Sequence, residues 1–178
     1  SDKSKTDYEK PYESQYQTIK NLNYELSRQN EILQQKEGLD KIPILSDIND
    51  KLEIQKKNLH ALNEERRKEL DSLSKITDKT EEQEDRYQDL LEKIQATSLE
   101  WWKLDNQQKS NNETTKKIRE EIEKSIENQI KQQVELEKSL KLQEAENTLK
   151  QDLIDLEKEI YGTSQKDWEK ASDARIEE

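Results

Sequence analysis

Residues 87–104 read YQDLLEKIQATSLEWWKL and decide the fold class. Their large apolar side chains recur three or four residues apart, the spacing that gathers side chains on one face of an α-helix. Trp101 follows the helical phase of Ile94 and Leu104, whereas Trp102 follows that of Leu91. Because adjacent helical residues point about 100° apart, this stretch predicts a helix that packs against two others, with both indoles at the centre of a three-helix region.

The composition of the whole chain also indicates long helices. Of its 178 residues, 41% are charged, and the chain has only two glycines and two prolines. An ordinary soluble domain has about 25% charged residues, so the apolar face of each helix must be narrow. The net charge of −11 argues against nucleic acid as a partner, because phosphate binding requires clustered Lys and Arg. We therefore expect an all-α fold of long antiparallel helices or coiled coil.

Two helices are predicted before the Trp-containing segment. The first spans about residues 8–37, and Gly38 is expected to end it in the left-handed conformation. Residues 38–45 contain Pro43, which disfavours helix in the residue before it, so this segment is predicted to be a loop. The second helix is then expected over residues 46–77, with polar side chains at three of its inward positions, Gln55, Arg66 and Glu69.

A third helix is predicted over residues 80–104. Thr80 and Gln83 have the spacing of a capping box, in which each side chain bonds the backbone N–H of the other residue. Short connections make consecutive helices antiparallel neighbours. Residues 1–104 are therefore predicted to form an antiparallel bundle.

The second half of the chain is predicted to be one long helix. Residues 105–117 lack apolar side chains, so they form either a polar turn or an exposed helical stalk. Residues 118–161 are predicted as a coiled-coil helix about 70 Å long at 1.5 Å per residue, elongated and self-associating. Gly162 is expected to end it, and residues 162–178 to form a short terminal helix.

The predicted core consists of the side chains that continue these apolar series. They are Leu22, Leu26, Leu33, Ile48, Leu52, Leu59, Leu62, Leu73, Tyr87, Ile94, Trp101, Trp102, Leu104, Leu149, Leu153, Leu156 and Ile160.

The residue types present exclude most kinds of catalytic, metal-binding and phosphate-binding site. There is no Cys, and His60 is the only His, so His-based triads and multi-histidine metal sites are excluded. His60 lies between Leu59 and Leu62, and we expect it to be a partly buried structural residue. Two glycines cannot build a phosphate-binding loop. The acidic clusters at 81–85 and 120–123 are interpreted as solvated helix faces. No apolar run is long enough for a membrane span. We expect no enzymatic activity, no cofactor, no metal and no small-molecule substrate.

Several short elements occur in a distinctive order. They are NYEL at 23–26, EWWKL at 100–104, a long Glu/Lys/Gln-rich helix, and IYGTSQK at 160–166 followed by Trp168-Glu169. This succession resembles the helical segments of tail tape-measure proteins from phages and prophages of Gram-positive bacteria. The resemblance covers roughly residues 20–178.

The resemblance implies a structural, length-setting helical rod inside a phage tail tube. It further implies several copies packed together, contacts with tail-tube and other tail proteins, and a virion tail assembled in the bacterial cytoplasm. Because the chain begins Ser-Asp-Lys, we expect it to be a piece of a longer protein.

Two other classes of function are compatible with the same residues. One is a helical spacer or tether of a surface or secretion-associated protein. The other is a three-helix module in which residues 8–104 bind a partner protein.

Overall fold

A computed structural model of the protein describes the backbone of residues 7–177 and the side chains of residues 7–162. Within that range the chain is helical and contains no strand, so the predicted all-α class is confirmed. The helices are α1 (Glu13–Gln34), α2 (Lys41–Ser74) and α3 (Glu81–Glu177), with short 3-10 helices at Lys10–Tyr12 and Gly38–Asp40.

The connection between α1 and α2 is shorter than predicted. Gly38 adopts the left-handed conformation with a φ of 56°, and the chain re-enters α-helix at Lys41 rather than near residue 46. Pro43 therefore lies in the first turn of α2. The first four N–H groups of a helix have no acceptor within the helix, so the missing N–H of Pro43 costs little there. The prediction of a loop over 38–45 is wrong for this reason.

The start of α3 is fixed by Thr80 and Gln83. The backbone N–H of Gln83 donates to Thr80 Oγ1 at 3.1 Å, and the backbone N–H of Thr80 donates to Gln83 Oε1 at 3.0 Å. These two bonds are the reciprocal pair of a capping box. They satisfy two backbone donors at the point where the chain leaves the turn after α2.

Helix α3 continues through the polar segment 105–117, so the interpretation as a turn is wrong. The first part of the segment is not an exposed stalk either, because it packs against α2. Lys56 Nζ lies 2.9 Å from Asp105 Oδ1, and Gln108 Nε2 donates to the carbonyl of Asn49 at 3.0 Å. Polar contacts take the place of apolar ones along this part of the helix pair.

Gly162 does not end α3, and the separate helix predicted over 162–178 is wrong in its boundary. A glycine inside a helix costs about 1 kcal/mol relative to Ala, which is too little to terminate a long helix without a competing cap. The side chains of Trp168 and Ile176, expected in the terminal helix, lie outside the described residues.

The chain divides into two units, residues 1–122 and 123–178. In the first unit α1, α2 and the beginning of α3 pack as antiparallel neighbours. Gln55 Nε2 of α2 donates to the carbonyl of Ile19 in α1 at 2.8 Å, and Asn63 Nδ2 donates to the carbonyl of Ile94 in α3 at 3.2 Å. In the second unit, the described side chains belong to α3 alone.

The apolar core lies in the first unit. Ile48 and Leu90 are completely buried. The buried apolar side chains are Tyr12, Leu22, Leu26, Leu45, Ile48, Leu52, Leu59, Leu62, Leu73 and Leu90.

The structure divides the predicted core residues into three groups. Seven of them are among the buried side chains of the first unit. Four are half-buried, namely Leu33, Tyr87, Ile94 and Leu104. The others are exposed, namely Trp101, Trp102, Leu149, Leu153, Leu156 and Ile160.

The burial of Leu90 can be tested against an exposed leucine of the same helix. Leu90→Ala should lower the free energy of unfolding by about 2–5 kcal/mol, the range for emptying a packed leucine site. Leu99→Ala is the matched control, because Leu99 is mostly exposed, and it should cost well under 1 kcal/mol. Urea unfolding followed by circular dichroism measures both. Equal losses would contradict the assignment of Leu90 to the core.

Candidate interaction surfaces

The two tryptophans do not occupy the bundle centre, and the prediction that both are buried is wrong. Trp101 is 36% exposed and Trp102 is 57% exposed. The inward line of α3 instead runs through Leu90, Thr97 and Leu104, which are spaced seven residues apart. The predicted core of α3 follows the apolar series of Ile94, Trp101 and Leu104 and does not include the polar Thr97. Thr97 is buried because its hydroxyl accepts a hydrogen bond inside the bundle.

Trp101 lies at the edge of the contact between α2 and α3. Lys56 Nζ is 4.7 Å from the ring centroid, within the range of a cation–π contact. The indole also borders an open groove of about 200 Å³. The groove is lined by Leu59, His60, Asn63, Arg67, Ser98 and Trp101. His60 is exposed, so the expectation of a partly buried histidine is wrong.

Trp102 belongs to an exposed apolar patch on the outer side of α3. Leu91, Leu99 and Trp102, which we call the Trp102 patch, lie along this part of α3, and each is more than one-third exposed. Leu91 and Trp102 share a helical phase, since eleven residues are close to three turns. The patch is a surface available to another molecule.

A layer of buried polar side chains crosses the middle of the first unit. Arg66 Nη1 donates to Thr97 Oγ1 at 2.6 Å, and Arg66 Nη2 donates to the hydroxyl of Tyr16 at 3.2 Å. Asn63, one turn earlier in α2, donates to the carbonyl of Ile94 and to Ser98 Oγ. The layer therefore connects all three helices by hydrogen bonds. The sequence placed Arg66 at an inward position but gave no indication of Asn63.

A second buried charge lies near the end of the bundle, at Arg86. Arg86 Nε donates to Glu69 Oε2 at 2.5 Å and Arg86 Nη1 donates to Glu9 Oε1 at 2.5 Å. Lys93 and the hydroxyl of Tyr16 also donate to the Glu9 carboxylate. The Arg86 side chain is 4% exposed. This group, the Arg86 cluster, ties the segment before α1 to α2 and α3.

The Arg86 cluster shifts the pKa values of its members. Burial alone would raise the pKa of Glu9, but hydrogen bonds from Lys93, Tyr16 and Arg86 outweigh it and lower the pKa from 4.5 to about 2. Burial disfavours the cation of Arg86, and its bonds to Glu69 and Glu9 overcome this and raise the pKa. Burial and the Glu69 carboxylate raise the pKa of Tyr12 to about 12. At neutral pH, Glu9 and Arg86 are therefore charged and the Tyr12 hydroxyl is neutral.

The second unit presents many exposed apolar side chains. From Ile126 to Ile160 every large aliphatic side chain is 44–66% exposed. Leu149, Leu153, Leu156 and Ile160, predicted as core, belong to this set. These side chains have the helical phase of a packed face, but no other part of the chain that the structure describes covers them, so the prediction that they are core residues is wrong within one chain.

The described residues contain no group of three or more His, Asp or Glu side chains placed to hold a metal ion. Within the same part of the chain, no helix is both long and apolar enough to cross a bilayer. The expected lack of catalytic activity stays a prediction.

Comparisons with models of known protein families, with curated proteins and with solved structures found no match.

A substitution that removes the Arg86 cation measures how much the Arg86 cluster contributes to the free energy of unfolding. Arg86→Met leaves the Glu69 carboxylate without its cation and the Glu9 carboxylate with Lys93 alone, and should cost about 3–5 kcal/mol in urea unfolding. Arg67→Met is the matched control, since Arg67 forms an exposed pair with Glu64 that is worth under about 1 kcal/mol. A loss no larger for Arg86→Met than for Arg67→Met would refute the role of the cluster.

The lowered pKa of Glu9 makes part of the stability pH-dependent. The folded value lies below the ordinary one, so the stabilising contribution is complete above about pH 4.5 and is lost as pH falls towards 2. Glu9→Gln should therefore be less stable than the parent at pH 7, and this difference should shrink between pH 4.5 and pH 2. Thermal melts across that range measure it. A difference that stays constant with pH would contradict the assignment.

Proposed function

We propose that the chain is a segment of a tail tape-measure protein, in which α3 serves as a length-setting rod inside the tail tube. The observation that supports this most is the continuity of α3, which runs from Glu81 to Glu177 through a polar segment and through Gly162. An α-helix rises by about 1.5 Å per residue. The length of an uninterrupted helix is therefore proportional to its number of residues, which a length-setting protein, or ruler, requires.

The exposed apolar side chains of the second unit supply a second argument. Apolar side chains at this density on one helix are stabilised by burial against other helices, so the segment fits a protein packed in several copies. Self-association and contacts with tail-tube and other tail proteins are the partners we propose, in a virion tail assembled in the bacterial cytoplasm. The proposed role is structural and requires no catalytic group.

A partner-binding module is the second candidate, and the Trp102 patch favours it. Aromatic side chains are enriched where proteins bind one another, and Trp102 is more exposed than a bundle requires. In this alternative the first unit binds a partner protein, and α3 only holds that unit at a distance, as a spacer would.

Changing the length of α3 in the phage or prophage that encodes the chain tests the ruler. Duplicating residues 124–159 adds 36 residues, or about ten turns, and keeps the helical phase. Tails measured by electron microscopy should become longer by about 54 Å, and deleting the same residues should shorten them by about 54 Å. A duplication of half this length should give half the change.

The control for this experiment alters the same region without altering its length. Gln132→Ala with Gln151→Ala should leave the tail length unchanged. Tails of parental length in both the duplication and the deletion would reject the ruler, as would absence of the chain from purified tails. A spacer or partner-binding module predicts either of these two results.

A further inference from the structure

The exposed apolar side chains of the second unit lie on two different faces of α3. The isoleucine face consists of Ile126, Ile130, Val134, Leu136 and Leu140, and the leucine face consists of Leu142, Leu149, Leu153, Leu156 and Ile160. At about 100° per residue, the centres of the two faces are about 150° apart around the helix axis. Two side chains depart from this division: Ile154 lies in the second half but on the isoleucine side, and Tyr161 lies between the two faces.

Each face becomes polar where the other begins. The line of the leucine face, followed back towards the start of the unit, carries Glu127, Lys131, Glu135 and Lys138. The line of the isoleucine face, followed forwards, carries Glu144, Thr148, Gln151, Asp155 and Lys158. The change of face therefore takes place near residue 141, and neither face extends along the whole unit.

One neighbouring helix cannot cover both faces. The face centres are about 19 residues apart, or about 28 Å along the helix, so a single partner would have to wind about 150° within that distance. A two-stranded coiled coil makes one turn in about 140–210 Å, which corresponds to only about 50–70° over the same length. The two faces must therefore be covered by two different neighbours.

We infer that these neighbours are two further copies of this chain, and that the isoleucine face of one copy packs on the leucine face of the next. Residues 123–141 contain four Lys and four Glu, so they are neutral, whereas residues 142–162 contain two Lys against six Asp and Glu, a net charge of −4. Pairing leucine face with leucine face would oppose two charges of −4. Pairing unlike faces avoids this repulsion.

The size of each contact determines how strongly the copies associate. Helices that pack side by side use about four residues in seven, which gives about 22 residues per copy between Lys124 and Tyr161. Divided between two neighbours, this is about 11 residues per side of each contact, about half of the 20–30 residues of a standard interface, so the association depends on protein concentration. Such a contact does not close on itself as a two-fold dimer does, and it generates rings or open chains.

This inference goes beyond the proposed function and does not depend on it, because it concerns the mass of the protein in solution. Two variants of the full chain separate the faces. Ile126→Gln with Ile130→Gln disables the isoleucine face, and Leu153→Gln with Leu156→Gln disables the leucine face. Glutamine keeps a high helix propensity and adds no charge. Gln132→Ala with Gln143→Ala is the control outside both faces.

Light scattering should show the parent and the control as species larger than a dimer whose mass rises with concentration. Each face variant alone should have the mass of one chain while circular dichroism shows that it stays helical. An equimolar mixture of the two should have the mass of two chains, because it retains one intact pair of unlike faces. A monomeric or strictly dimeric parent, self-association of either variant alone, or a mixture that stays monomeric would each overturn the inference.

Discussion

The first unit depends on polar side chains that are buried between its helices. Gln55, Arg66 and Arg86 occupy inward positions, and each donates hydrogen bonds to a neighbouring helix. A buried polar group that loses its partner costs about 1–3 kcal/mol, and more when it is charged. A shift in register between the helices would separate several of these pairs at once. The polar layers therefore specify one alignment for helices whose narrow apolar faces would tolerate several.

The sequence predicts the helical class because its apolar residues have helical spacing, and it predicts the start of α3 because a capping box is local. It misplaces the inward line of α3 because that line depends on Thr97, whose burial requires Arg66 on another helix. Asn63 and the Arg86 cluster were missed for the same reason. Glu9 and Arg86 are far apart along the chain, and nothing local indicates that they meet. Pairing of polar groups between helices is a tertiary property.

The two units differ in whether their apolar side chains are buried within the chain. In the first, Ile48, Leu52 and Leu90 are buried among three helices of one chain. In the second, Leu149 and its neighbours have the correct phase for packing but are exposed. Periodicity alone does not distinguish these cases, because it shows which face of a helix is apolar but not which molecule covers it. Six of the predicted core residues are exposed in the structure, and four of them belong to the second unit.

The continuity of α3 follows from the absence of any signal strong enough to end it. Residues 105–117 contain no Gly or Pro, and their amides bond to α2, as where Asn111 donates to Asn49 Oδ1 at 2.9 Å and Asn49 donates to Asn112 Oδ1 at 2.8 Å. Helix is thus maintained by backbone hydrogen bonds, with polar contacts where apolar ones are missing. A helix maintained in this way keeps its rise of about 1.5 Å per residue when its lateral contacts change. In the function that we propose, residue number would then set distance along the helix, and the side chains of the isoleucine and leucine faces would separately set the association that we infer.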